Sequence, residues 1–444
     1  MFDILSPMAW ARRQFGDVDL GDLRLSRRLA RVAASFAARP CGTLPPAMST
    51  YAEMKAAYRL LNHPDVSHAA VQRLHSQRVQ QAVTEPGEYL LIEDTTSLDF
   101  STREHTDGLG RIGDDGGRGL FVHTTLAMRL AETPELVGIY AQQVWARGDD
   151  FRCKDRPKAE RLSRERESQR WARSLHPAVP GATTWFVADR ESDIYECLRG
   201  LDQGGHRFVI RACQSRALIG EQQLLFDQIS LQPCLGHTEV ELRARPGQAA
   251  RKAKLEVRTL TATIRAPWRP EGRGEHLELS IVEAREPNGP LRWVLLTAEP
   301  AKNLDEALKV LQIYRHRWLI EEYHKALKTG CGIEDSQLES GQALEALLGV
   351  LAIVAARLLA MKLLARSRPD EPAPKDLLGP HGPKVLALLS FKGPWTWRAV
   401  FRKIAELGGF HGQGKNKDPG WITLWRGFEK LWPSITIADA LLDN

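Results

Sequence analysis

The chain has 444 residues, a formal net charge of +6 at pH 7 and a pI near 9.0: room for two or three domains, and a weak pointer to a polyanionic partner. Its six cysteines (41, 153, 197, 213, 234 and 331) form no Cys-x-x-Cys pair, which argues against a zinc ribbon or a disulfide framework. The chain is read as lacking an apolar run of about 18 residues, and Met1-Phe2-Asp3-Ile4-Leu5 lacks the marks of a signal peptide. A reduced, cytoplasmic protein with no membrane partner is therefore expected.

The first 70 residues read as a helical module. Leu25, Leu29, Val32 and Phe36 recur at i, i+4, i+7 and i+11 and give one apolar face. Arg24, Arg27, Arg28 and Arg31 cluster on a neighbouring face, which suits a DNA groove or backbone and equally a solvated surface helix. A second helix is expected from Tyr51 to Asn62, ahead of Pro64, with Lys55 and Arg59 as further cations.

From about residue 86 strands and helices alternate. Glu88–Asp94, Leu120–Arg129 and Leu136–Val144 read as successive strands, in antiparallel hairpins at one side of the sheet. Between them, Gly108-Leu109-Gly110-Arg111-Ile112-Gly113 formally matches G-x-G-x-x-G. Asp114-Asp115-Gly116-Gly117 follows instead of a helix, so no nucleotide cofactor is expected and the segment reads as a mobile loop. Pro157–Ser174 is charged and helical in pattern; Thr183–Asp189 is a strand, Ser192–Leu201 a helix and Arg207–Arg211 a strand. From about 212 to 303 the helical pattern lapses, with strands expected at Glu239–Arg245, Lys254–Ile264, Leu277–Ala284 and Trp293–Thr297.

A single helix is expected across Tyr314–Lys328, with His316 and His324 flanking Glu321 at a spacing unlike that of a helical zinc pair. A helix of small and apolar residues, Ala343–Leu364, follows, and Pro369–Pro383 reads as a linker. The remaining residues combine Lys392, Arg398, Arg402, Lys403, Lys415 and Lys417 with Trp395, Trp397, Trp421 and Trp425 in a small helical domain.

Three carboxylates, Asp94, Asp189 and Glu321, stand 95 and 132 residues apart. The first two end apolar strand-like runs, where open α/β sheets place their sites, and the third lies on a helix. Acid, acid and late helical acid is the set that a two-metal phosphoryl-transfer site requires. Tyr314, Arg317, Glu321 and Lys328 stand at i, i+3, i+7 and i+14, within roughly 60° of arc on one helix. The carboxylate suits a metal and the cations suit phosphate oxygens; an exposed face of i,i+4 ion pairs is the alternative.

Tyr314-x2-Arg317-x3-Glu321-x6-Lys328 resembles the signature of the DDE cut-and-paste transposases of the insertion-sequence-four family, the group containing the Tn-five-type transposase. The resemblance extends to Ile92-Glu93-Asp94-Thr95-Thr96-Ser97-Leu98, Asp189-Arg190-Glu191-Ser192-Asp193-Ile194, Arg292-Trp293-Val294-Leu295-Leu296-Thr297, Leu20-Gly21-Asp22 and Leu407-Gly408-Gly409-Phe410. It implies an α/β fold: an RNase H-like catalytic core with a β-rich insertion, an N-terminal helical DNA-binding domain and a small helical C-terminal domain. The corresponding boundaries are 1–70, 71–365 (insertion about 212–303) and 366–444.

By resemblance, Asp94, Asp189 and Glu321 hold Mg²⁺, with Mn²⁺ expected to substitute. Tyr314, Arg317 and Lys328 hold DNA, Trp293 accepts a flipped base, Arg211 holds the displaced strand, and His324 contacts DNA or supports the site. The implied partners are the double-stranded transposon ends, target DNA and, in the DNA complex, a second copy of the chain. The implied reaction is hydrolysis at each end, hairpin formation and joining to target. A metal-dependent nuclease without joining, and a catalytically silent DNA-binding protein or repressor, are the rival readings.

Overall fold

A computed structural model describes residues 4–113, 116–148, 169–173, 175, 181–242, 251–269, 272–412 and 418–442. The expected basic loop at Lys415 and Lys417, and most of the charged Pro157–Ser174 stretch, lie outside them. The chain divides into two compact units, Met1–Ala82 with Thr95–Phe151 and Ile320–Asn444, and Val83–Asp94 with Arg152–Leu319.

The first unit opens with helices α1 (Pro7–Phe15), α2 (Leu23–Ala38), α3 (Leu44–Ala47), α4 (Tyr51–Leu61) and α5 (His68–Val83). Asp22 caps α2 by accepting the Arg24 N–H at 2.7 Å. At α4, Thr50 Oγ1 accepts from the Glu53 N–H while Glu53 Oε2 accepts from the Ser49 N–H, a reciprocal box that satisfies donors the helix start leaves orphaned. Leu29, Val32 and Phe36 are buried as the periodicity requires, with Leu25 half-buried.

Strand β1 (Glu88–Asp99) passes from the second unit to the first at Asp94–Thr95. The first unit continues with β2 (Gly110–Ile112), β3 (Gly117–Arg129) and β4 (Glu135–Trp145). Half of the G-x-G-x-x-G match, Gly110–Ile112, is thus the first strand of an antiparallel hairpin, Gly110 opposite Gly119, and the rest is loop and turn. β3 and β4 form the expected antiparallel pair, with Phe121 opposite Trp145.

In the second unit, helix α6 (Gln169–Arg173) precedes β5 (Thr183–Ala188), α7 (Tyr195–Gln203) and β6 (Arg207–Arg211). The 88–93 half of β1 runs parallel to β5, and β5 parallel to β6. The expected insertion contributes α8 (Leu225–Ser230), which the sequence pattern did not suggest, then β7 (Gly236–Leu242), β8 (Arg251–Ile264), β9 (Trp268–Arg269), β10 (Gly272–Arg273), β11 (Leu277–Arg285) and β12 (Arg292–Thr297). Its strands join the core sheet: Leu295 pairs with Arg211, so the sheet runs on β1–β5–β6–β12–β11–β8–β7. Helix α9 (Leu304–Arg315) packs on this sheet.

Helix α10 (Trp318–Lys325) passes back to the first unit at Leu319–Ile320. That unit ends with α11 (Gly341–Ser367), α12 (Gly382–Leu388), α13 (Trp397–Leu407) and α14 (Trp421–Leu442). The reading that the chain has no apolar stretch of membrane-spanning length is corrected by α11, which is long and apolar enough to cross a membrane. Nearly all of it is buried inside the unit, so the length that suggests a span here builds a core helix. The expected linker at Pro369–Pro383 is also corrected. Leu377 and Leu378 are each 1% exposed and the Ala373 N–H donates to the Trp395 carbonyl, so the prolines shape a packed segment.

Candidate active site

Asp94 does not end its strand; β1 runs five residues further, to Asp99. What places it is register. Glu93 lies opposite Ala188 on the paired parallel strand, so the next residue of each chain segment is an aspartate, Asp94 and Asp189. Alternation along β1 sends Glu93 inward, where it is 2% exposed, and leaves Asp94 on the other face, half-buried. Asp189 caps a 3-10 turn, Arg190–Ser192, its Oδ1 accepting the Glu191 N–H at 2.8 Å. Arg317 Nη1 lies 4.0 Å from Asp94 Oδ2, with 17% and 14% of the two side chains exposed.

Tyr314 is buried, its ring centroid 5.5 Å from that of Trp293 in an edge-on arrangement. Burial pushes the Tyr314 hydroxyl up, while the Arg317 and Arg211 cations oppose the shift. Arg211 donates from Nη2 to the Arg292 carbonyl at 2.9 Å. Tyr314, Trp293, Arg211, Arg317, Asp94 and Asp189 thus belong to the second unit.

Tyr314, Arg317, Glu321 and Lys328 do not form one stripe on one helix, as the sequence suggested. Tyr314 lies in the last turn of α9, Arg317 lies in a turn, Glu321 is on α10, and Lys328 sits in a π-helical segment, Ala326–Gly330. The break comes from i→i−3 hydrogen bonds, Arg317 N–H to the Tyr314 carbonyl and Leu319 N–H to the His316 carbonyl, both 3.0 Å. Beyond α10 the Cys331 N–H reaches the Ala326 carbonyl at 2.7 Å, widening the last turn. Each change resets the helical phase on which the 60° estimate depended.

Glu321 and Lys328 belong to the first unit. Lys328 Nζ lies 3.0 Å from Glu334 Oε1, which also accepts the Asp99 N–H at 2.9 Å. Hydrogen bonds from the Ser101 hydroxyl and N–H hold the Asp99 carboxyl below its usual range, and Lys328 adds to the effect. His324 is buried beside Tyr323. Arg24, Arg27 and Arg31 are exposed on α2 and Arg28 is half-buried, with Lys55 and Arg59 exposed on α4.

Other carboxylates near the candidates have structural partners. Asp193 is fully buried; its Oδ1 takes the Arg216 guanidinium at 2.6 Å and its Oδ2 the Cys213 N–H at 2.8 Å. Glu322 is buried against Lys362 and Trp421. Sequence reading missed these partnerships. The one available signal was Lys362, a charge inside the apolar run of α11 that burial obliges to find a partner.

Residues 7–66 match the family model for transposase DNA-binding, and residues 163–356 match that for the transposase DDE domain. The chain therefore carries a transposase DNA-binding domain and a transposase DDE domain, which support a DDE transposase. The first match covers α1 to α4 and the α2 arginines. The second begins after Asp94 and includes Asp189, Tyr314, Arg317, Glu321 and Lys328. A DDE domain implies an RNase H-like core acting as a polynucleotidyl transferase or nuclease, and such domains typically use divalent metals.

Among the described residues no group of three or more His, Cys, Asp or Glu side chains is arranged to hold a metal ion. The adjacent aspartates nonetheless fit Mg²⁺ by donor chemistry. They are hard oxygen ligands, and Mg²⁺ is commonly bound by one or two carboxylates completed by substrate phosphates rather than by an all-protein cage.

Proposed function

We propose that the protein is a cut-and-paste transposase of the insertion-sequence-four type, with Asp94, Asp189 and Glu321 as its acidic triad. The observation that supports this reading is the β1–β5 register, in which Glu93 lies opposite Ala188 and an aspartate follows on each strand, in a chain carrying a DDE domain. Two Mg²⁺ ions held by the triad and DNA phosphates would supply a nucleophilic water and stabilise the leaving 3′ oxygen.

The chain's own groups do the rest. Asp94, with Arg317 beside it, keeps its charge balanced before DNA arrives. Arg317, Lys328 and the Tyr314 hydroxyl hold phosphate oxygens, and Trp293 offers an indole for a base extruded during hairpin formation. Arg211 holds the displaced strand and His324 supports the site. The exposed arginines of α2 grip the transposon end, and residues 366–444 pair two copies across the ends. The freed 3′ hydroxyl attacks the opposite strand and then target DNA, with no covalent protein intermediate. A cytoplasmic location goes with this reading.

The test uses the DNA flanking the gene as donor, with purified protein and Mg²⁺ or Mn²⁺. Excised, hairpin-ended and joined products are expected, and Asp94→Asn, Asp189→Asn and Glu321→Gln each abolish them while end binding persists. Near-normal turnover in any of the three overturns the triad. Nicks without joining indicate a nuclease, and a shifted but uncut donor a binding protein.

A further inference from the structure

The residue that follows Glu321 on α10 is a second glutamate, and it is spent inside the protein. Glu322 is 5% exposed and points about 100° around the helix from Glu321. A buried carboxylate is costly unless paired and hydrogen-bonded. Its Oε2 receives both the Lys362 ammonium and the Trp421 indole N–H, the latter at 2.7 Å. Lys362 is 4% exposed, lies between buried Met361 and Leu363 on α11, and sits 4.2 Å from the centroid of the Trp421 ring. Trp421 therefore serves both partners: its N–H faces the acid and its π face the cation.

A three-way set of this kind favours one geometry. Apolar side chains of the same volume would hold three helices together at least as well, because buried ion pairs seldom add net stability. Directional bonds constrain rotation, which apolar packing does less strictly. On another side of α10 the Tyr323 hydroxyl accepts from Gln142 Nε2 at 3.1 Å, so the helix is held from two directions.

We propose that Glu322, Lys362 and Trp421 are positioning residues that fix the rotation of α10 and thereby aim the Glu321 carboxylate. The first residue of the C-terminal helix α14 is thus part of the support of the metal site. This rests on the reading of Glu321 as a metal ligand.

The experiment uses the full chain on donor DNA. Trp421→Phe keeps the ion pair and most of the ring but removes the N–H, and the double variant Glu322→Gln with Lys362→Met replaces the pair by near-isosteres. Cleavage is titrated against Mg²⁺, Mn²⁺ binding to the protein–DNA complex is followed by the electron paramagnetic resonance signal of free Mn²⁺, and thermal midpoints are recorded. Both variants should need about tenfold more Mg²⁺ for half-maximal cleavage and bind Mn²⁺ about tenfold more weakly, with end binding within twofold of wild type. Unchanged metal dependence in either folded variant, whatever the fall in maximal rate or melting temperature, overturns the proposal. Glu321→Gln, run alongside, separates the two ideas: if it leaves cleavage and Mn²⁺ binding intact, the ligand reading itself has failed.

Discussion

Neighbouring acids in this chain have opposite fates, and their environments say why. Asp189 keeps its carboxylate half-exposed at the end of β5, whereas four residues on Asp193 is fully buried against Arg216 and two backbone N–H groups. Removing one partner of a buried pair typically costs about 3–5 kcal/mol. Asp193→Ala should therefore lower the melting temperature sharply, while Asp189→Asn leaves it near wild type and removes cleavage; calorimetry beside the donor assay checks both. Lys328 is engaged by Glu334 at 3.0 Å, with 30% of each side chain exposed. Phosphate must replace that partner, so Glu334→Gln should tighten end binding modestly, by less than about 1 kcal/mol. Lys328→Ala and Arg317→Ala should each reduce the salt slope of binding by about one unit for every phosphate left without its cation.

Among the elements, two devices hold the first unit in register. Gln142 on β4 uses its whole amide: Oε1 accepts from Gln72 at 2.8 Å and lies 2.9 Å from His68 Nε2, while Nε2 donates to Thr124 at 2.8 Å and Tyr323 at 3.1 Å. Gln142→Leu strands several buried polar groups at once, each worth about 1–3 kcal/mol. The expected result is a large loss of stability in denaturant titrations. The second device is a close backbone approach. A Cβ on Gly42 would lie 1.6 Å from the Gly332 carbonyl oxygen, and Gly332 itself has φ of +57°. Only glycine at both positions allows the loop before α3 to meet the turn after the π-helical segment.

Across the whole first unit, buried polar groups tie distant parts of the chain together. Arg357 of α11 donates to the carbonyls of Ala37 and Leu5, and burial pulls its guanidinium down to about 10. His75 of α5 joins Gln14 of α1 to the Ile139 N–H of β4, and burial lowers it to about 3; His68 is lowered to about 4 for the same reason. Both histidines are neutral when folded, while the unfolded chain takes up their protons near 6.5. The unfolded state then binds more protons, so stability falls as pH drops below about 6.5 and levels off only below about 3. Each contributes up to about 1.4 kcal/mol per pH unit within its window. Melting temperatures measured from pH 7 to pH 4 should decline accordingly, and His68→Asn should flatten the curve.

Most of the elements were legible in the sequence, and so was a transposase. Strand runs around Leu90–Ile92 and Phe186–Val187, the apolar face of α2 and the acids at 94, 189 and 321 follow from local periodicity and residue type, which are properties of neighbours along the chain. Long-range pairing and burial set the rest. Parallel pairing set Glu93 opposite Ala188, so that Asp94 and Asp189 follow on paired strands, and β6–β12 pairing joined the β-rich insertion to the sheet. Turn hydrogen bonds broke the 314–328 helix, and burial turned a membrane-length apolar helix into a core and a proline-rich stretch into packed structure. These outcomes depend on which distant backbone donors and apolar surfaces meet, and a side chain such as Lys362 finds its partner only when α10, α11 and α14 come together.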